Sequence, residues 1–174
     1  MSFKDKNIVW TEVGTSKMLP AGAYDAMITD VEDVESKEYL RFTYEIADGK
    51  YQGFFADEDR IYTHQFVRSY KDSAIGFMTR FLRCVDASNE GFDLDTWDND
   101  PSKLVGLHVG IIVQREDYTN NNGEDRARMN VEGFASVDDV KNGRFIMPEP
   151  KDTRKKQSDA PDAQVSAYDA DVPF

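Results

Sequence analysis

The alternation of apolar and polar side chains in residues 39–46, YLRFTYEI, most limits what this chain can fold into. Side chains point alternately to the two faces of a strand, so this period of two predicts a β-strand with one buried face. The apolar set is Leu40, Phe42, Tyr44 and Ile46, and the opposite set is Tyr39, Arg41, Thr43 and Glu45. Asp48-Gly49 follows as a turn signal.

The remaining periodic segments predict four more strands and one helix. The strands are residues 23–34, a long bent strand from Tyr51 to about Phe66, residues 104–118 and residues 126–137. The turn-forming residues TNNNGED join the last two strands as a hairpin. Between the third and fourth strands, residues 71–88 change to helical spacing. The apolar face of this helix comprises Ile75, Met78, Leu82 and Val85, widened by Phe77 and Phe81.

The resulting order, β-β-β-α-β-β, predicts a mainly β fold. A five-stranded Greek-key barrel of the oligonucleotide/oligosaccharide-binding (OB) type has this order, with its helix between strands three and four. A simple meander with one helix fits the same list of elements nearly as well.

Composition divides the chain into four parts. Residues 1–21 are predicted to be a lead-in, and residues 22–147 the folded domain. Residues 148–168 contain prolines and many polar residues with little to bury, which predicts a disordered linker. Residues 169–174 form an acidic tip at the end of that linker.

The composition and the absence of known motifs argue against several classes of protein. No apolar run is long enough to span a membrane, and residues 1–10 lack a signal-peptide core, so a cytoplasmic location is expected. One cysteine, Cys84, and two histidines, His64 and His108, predict neither a disulfide nor a metal site. No phosphate-binding loop or catalytic motif is present, so we expect no cofactor and no enzymatic activity.

The formal net charge of −12 argues against nucleic-acid binding, but the charge is unevenly distributed. Residues 60–83 contain five basic residues and one acid, a local net charge of +4. Within this segment, RIYTHQFVR places arginines and aromatic rings on one face of a strand. This pattern is typical of proteins whose rings stack on the unpaired bases of a single strand and whose cations contact its phosphates. The candidate nucleic-acid-binding residues are Tyr39, Arg41, Arg60, Tyr62, His64, Phe66, Arg68 and Lys71. The alternative is that the aromatic rings belong to the core.

The chain ends in YDADVPF, where apolar residues and the terminal carboxylate follow two aspartates. Such a peptide suits a small apolar pocket with a basic rim on another protein. This end resembles the acidic tip of bacterial and phage single-stranded-DNA-binding proteins. The matching residues are Asp169, Asp171, Val172, Pro173 and Phe174, while Ala170 interrupts the acidic run. LPAGAY at 19–24 and LVG at 104–106 are similar to segments of a divergent phage-encoded group of that family.

The resemblance implies an OB-fold core, single-stranded DNA as ligand, and a tip that recruits replication or recombination proteins, in the host cytoplasm if the chain is phage-encoded. A second hypothesis is an acidic protein-interaction module that mimics nucleic acid and does not bind DNA. A third is a small metal-dependent hydrolase that uses Asp93 and Asp95.

Overall fold

The structure is a computed structural model that describes residue 4 and residues 18–56 and 64–155. These residues form a mixed α/β fold dominated by an antiparallel sheet of six strands. The elements are β1 (Gly22–Val34), β2 (Tyr39–Ile46), β3 (Gln65–Ser69), α1 (Ile75–Ser88), β4 (His108–Thr119), β5 (Asp125–Ala135), α2 (Val137–Lys141) and β6 (Lys151–Thr153).

The five longer strands are hydrogen-bonded in the order β3-β2-β1-β4-β5, and all of these pairs are antiparallel. Strand β1 has an irregularity between Ile28 and Asp30 where it pairs with β2. Strand β1 pairs with residues 108–113 of β4, and strand β6 runs parallel to residues 116–118 of the same strand. Among the described residues β3 and β5 share no ladder, so the sheet is not closed into a barrel.

The core lies on one face of this sheet, beneath α1. The nine largest fully buried side chains come from the sheet, α1 and the loop before β4. They are Phe42, Phe81, Ile28, Ile46, Leu104, Ile111, Val85, Val109 and Val113. Burial alternates strictly along β2, as its sequence predicted, and the Asn120–Gly123 turn joins β4 to β5, as also predicted.

The sheet is curled, because aromatic rings from its two outer strands meet. The rings of Phe66 on β3 and Phe134 on β5 are 4.9 Å apart, although three strands lie between them in the pairing order. Phe81 of α1 contacts both rings, at 5.4 and 4.7 Å. Phe42 of β2 stacks on Phe66 at 5.0 Å and completes the cluster. The helix therefore fills the gap between the two edges of the sheet.

The third strand and the apolar face of α1 differ from the sequence-based predictions. The third strand is only Gln65–Ser69, and residues 51–56 instead form turns and a short 3₁₀ helix. Ile75 and Phe77, predicted to face the core, are 50% and 60% exposed, because α1 presents a narrower stripe of Met78, Phe81, Leu82 and Val85.

The predicted linker also begins differently. Residues 151–153 form β6, which lies beside residues 116–118 of β4. The amide of Gln114 donates to the carbonyl of Pro148 and attaches the approach to this strand. Residues 156–168 and the tip at 169–174 lie outside the described residues.

Candidate nucleic-acid interface

Tyr39 and Arg41 lie on the outward face of β2, the side away from the core. On this face Arg41 is opposite Val67 of β3, and Tyr39 is opposite Ser69. The guanidinium carbon of Arg41 is 5.7 Å from the centre of the Tyr39 ring, and Nη2 donates to the Tyr39 hydroxyl at 3.0 Å. The two residues therefore form one unit, an aromatic ring beside a cation.

This outward face is not basic overall. Nη1 of Arg41 donates to the Glu32 carboxylate of β1 at 2.6 Å, and this contact raises the pKa of Arg41. Asp30, next to Thr43 in the β1–β2 register, and Glu45, opposite Met27, add two further carboxylates to the face. The phosphate-binding capacity of Arg41 is thus partly used within the protein.

Strand β3 is oriented opposite to the prediction. Phe66, expected to point outward with the arginines, is only 8% exposed and belongs to the aromatic cluster of the core. Alternation indicates which residues share a face but not which face is buried, and here the aromatic set is the inner one. The outward residues of β3 are Gln65, Val67 and Ser69.

His64 is also held inside the protein. Its Nδ1 lies 2.6 Å from the carbonyl oxygen of Tyr44, and its ring stacks on Phe55 at 4.7 Å. It is half-buried and extends the pairing between β2 and β3, since its carbonyl accepts from the Tyr44 amide. Packing and backbone pairing account for these contacts, and none of them leaves the ring free to stack on a base.

Arg68 shares the inner face of β3 but lies at the curled seam of the sheet. Its guanidinium carbon is 4.4 Å from the centre of the Phe134 ring of β5. Its Nε is buried without a hydrogen-bond partner among the described residues, and partial burial lowers the pKa of the group. Lys71 follows β3 and is exposed, whereas Arg60 and Tyr62 lie outside the described residues, as do the tip residues Asp169, Asp171, Val172, Pro173 and Phe174.

The β4–β5 hairpin contains a polar network that sequence reasoning did not find. Glu116, only 7% exposed, accepts hydrogen bonds from Arg128, Asn130 and Thr153, each at 2.7 Å. Burial alone would raise the pKa of Glu116, but these donors outweigh it and lower the pKa to about 2. The alternation of Arg126, Arg128 and Asn130 was the available signal, but their partner on β4 becomes apparent only from the register.

The acidic loop before β4 is occupied by its own contacts. Asp95 pairs with Arg83 at 2.9 Å, and Asp93 accepts from the Asp95 amide at 3.0 Å. In the part of the chain that the structure describes, no group of three or more His, Cys, Asp or Glu side chains is arranged to hold a metal ion. Over the same residues no helix is both long and apolar enough to cross a membrane.

Comparison with known proteins assigns the chain to a family. The model of the family described as Protein of unknown function (DUF669) matches residues 6–151. The chain belongs to this family. The match includes every strand of the sheet except the last two residues of β6, so the curled sheet is the DUF669 body of this protein. A search of the curated proteins finds no match to the sequence.

Proposed function

We propose that this DUF669 protein binds single-stranded DNA, largely independently of sequence, in phage or bacterial DNA replication or recombination. The observation that carries the proposal is the strand order β3-β2-β1-β4-β5 with α1 inserted between β3 and β4. A five-stranded OB barrel has this order and becomes closed when its third and fifth strands pair. The 4.9 Å contact between Phe66 and Phe134 already brings those two edges together. We therefore propose that the body is an opened OB-type sheet.

Two further features support single-stranded DNA as the ligand and replication or recombination proteins as the partners. Tyr39 and Arg41 place an aromatic ring beside a cation on the outward face of β2, the pair of groups that stacking and phosphate contact require. The sequence Asp-Ala-Asp-Val-Pro-Phe at 169–174 combines acids, a proline and a terminal phenylalanine in a peptide suited to a pocket on another protein. The proposed division of labour is that the sheet holds DNA and the tip recruits replication or recombination proteins.

A fluorescence titration with an unstructured thymidine oligomer tests the proposal. Stacking on tyrosine should quench the intrinsic emission, and binding should weaken as salt is raised because phosphate contacts release counterions. A uridine oligomer and a DNA duplex of equal length, titrated in parallel, separate DNA from RNA binding and single from double strands. Absence of binding to the thymidine oligomer at low salt would refute the proposed function.

A specific observation favours the second candidate, an acidic module that mimics nucleic acid. Glu32 pairs with Arg41, and Asp30 and Glu45 lie on the same outward face of β1 and β2, so that this face has an excess of negative charge. A mimic should bind a basic DNA-binding protein more tightly at low salt and should not bind the thymidine oligomer. The same titration therefore distinguishes the two functions.

A further inference from the structure

We propose that the corner between β3 and α1, defined by Arg68, Lys71, Phe77 and Arg80, is the principal anchor for the single strand, with Phe77 stacking on a base. This inference rests on the proposed function and adds a principal anchor outside the outward face of β2, where Tyr39 and Arg41 make a secondary contact. Phe77, which the helical spacing predicts to face the core, would then bind DNA.

The cations of this corner pair with no carboxylate of the described residues. Among the described arginines, all except Arg68 and Arg80 form ion pairs with carboxylates. The paired arginines are Arg41, Arg83, Arg115, Arg126, Arg128, Arg144 and Arg154. Lys71, between the two free arginines in sequence, likewise has no carboxylate partner in the described part of the chain. In a chain of net charge −12, residues 68–80 contain these three cations and one acid, Asp72, and this local excess of positive charge attracts phosphates.

Arg68 is the most unusual of the three. Its side chain is partly buried against the Phe134 ring, yet no hydrogen bond or ion pair engages its guanidinium within the described residues. A partly buried cation without an acceptor is costly, and a ligand that supplies oxygen atoms would remove that cost. A phosphodiester lying along the seam between β3 and β5 meets this requirement.

Phe77 supplies the stacking surface beside these cations. It is 60% exposed and lies one helical turn before Phe81, which packs between Phe66 and Phe134 at the seam. Arg80, three residues after Phe77, is its neighbour on the helix surface. Because α1 begins six residues after β3 ends, its first turn lies at the end of β3 that contains Arg68. An exposed ring flanked by free cations is the combination that unpaired bases and their phosphates recognise.

The test compares two exposed apolar residues of the same helix turn. Phe77 and Ile75 are 60% and 50% exposed, and positions two residues apart point about 200° away from each other around a helix. In the full chain, with a fluorescein-labelled thymidine oligomer at low salt, Phe77→Ala should weaken binding about 5- to 150-fold. Ile75→Ala should leave it unchanged. Phe77→Trp should retain binding and give an emission that the oligomer quenches.

The role of the cations is tested separately, by the salt dependence of binding. Lys71→Gln and Arg80→Gln should each reduce the slope of log affinity against log salt by about 0.7, the value for one phosphate contact on a single strand. Phe77→Ala should leave that slope unchanged. If the wild-type protein binds the oligomer but Phe77→Ala and Ile75→Ala have equal affinities, the anchor is overturned while the proposed function stands. If the wild-type protein does not bind, the proposed function itself fails.

Discussion

Two aromatic residues of adjacent strands, Phe66 and Tyr39, have different roles although both were predicted to contact nucleic acid. Phe66 stacks on Phe42 and contacts Phe81 and Phe134, so that its ring joins four elements of the core. Tyr39 lies on the outward face, where its hydroxyl meets Arg41. Loss of the first ring should affect folding, and loss of the second should affect binding.

Phe66→Ala should lower the free energy of unfolding by about 3–5 kcal/mol, as expected for removing a buried aromatic ring. Tyr39→Ala, the matched control on the outward face, should cost less than about 1 kcal/mol and should weaken binding to the thymidine oligomer. Chemical denaturation measures the first effect and oligomer titration the second. Equal stability losses in the two variants would contradict the assignment of Phe66 to the core.

Ionisation of one residue, Glu116, is expected to make the free energy of unfolding depend on pH. Its folded-state pKa, about 2, lies below its ordinary value of 4.5, so its ion pair and hydrogen bonds stabilise the fold above pH 4.5. This stabilisation, up to about 3 kcal/mol, is lost as the pH falls from 4.5 towards 2. Glu116→Gln should therefore be much less stable than the wild-type protein at pH 7 and should approach it near pH 2.

Urea denaturation of both proteins at several pH values measures that difference. Glu90→Gln changes an exposed carboxylate and serves as the control for loss of one charge. A stability difference between Glu116→Gln and wild type that stays constant between pH 7 and pH 2 would show that the Glu116 network does not depend on ionisation.

At the scale of elements, α2 lies so close to β4 that only a glycine fits between them. A Cβ added at Gly110 would be 2.6 Å from Cγ2 of Val140 and 2.7 Å from the carbonyl oxygen of Ala135. Gly110 does not have the positive φ that favours glycine, so its role is to allow close approach rather than an unusual backbone angle. The short helix α2 is therefore held against the sheet at this point.

Gly110→Ala should lower the free energy of unfolding by about 1–3 kcal/mol, because α2 must move away from β4. Gly76→Ala is the matched control, since no atom lies within 4 Å of an added Cβ at that helical position. The control should be neutral or slightly stabilising. Thermal denaturation of the two variants tests the contact, and unchanged stability of Gly110→Ala would exclude it.

The elements that sequence predicted well have local signals. The alternation of β2 and the Asn-rich turn after β4 depend on residues that are neighbours in the chain. Strand β6 could not be predicted, because Lys151–Thr153 contains only polar residues and pairs with a strand more than thirty residues earlier. The inward orientation of Phe66 depends on Phe134 and Phe81, which come from distant parts of the chain. Such tertiary contacts also decide which candidate site residues remain exposed.

At the scale of the whole molecule, opposite charges occupy different regions of an acidic protein. The two described arginines without a carboxylate partner, Arg68 and Arg80, lie in residues 68–80, while acids predominate on the outward face of β1 and β2 and recur in the C-terminal tip. If the body binds DNA as proposed, an acidic tip on the same chain should compete with DNA phosphates for the same cations. The body and the tip are therefore expected to have opposing effects on DNA affinity.

Deletion of residues 169–174 should leave affinity for the thymidine oligomer equal or higher, while abolishing recruitment of replication or recombination proteins. A Phe174→Ala variant retains both aspartates and should lose recruitment without changing DNA affinity. Oligomer titration and pull-down with the full-length variants measure the two effects. A fall in DNA affinity after the deletion would place the tip in the DNA-binding surface and contradict this division.

The salt dependence of oligomer binding by the full chain is the sharpest test of single-stranded-DNA binding by this protein. We expect saturable binding to a thymidine oligomer at low salt, with log affinity falling linearly against log salt by about 0.7 for each phosphate contacted. Lys71→Gln and Arg80→Gln should make that line shallower, whereas Glu90→Gln should not. Absence of binding at the lowest salt, or an affinity independent of salt, would contradict single-strand binding through phosphate contacts.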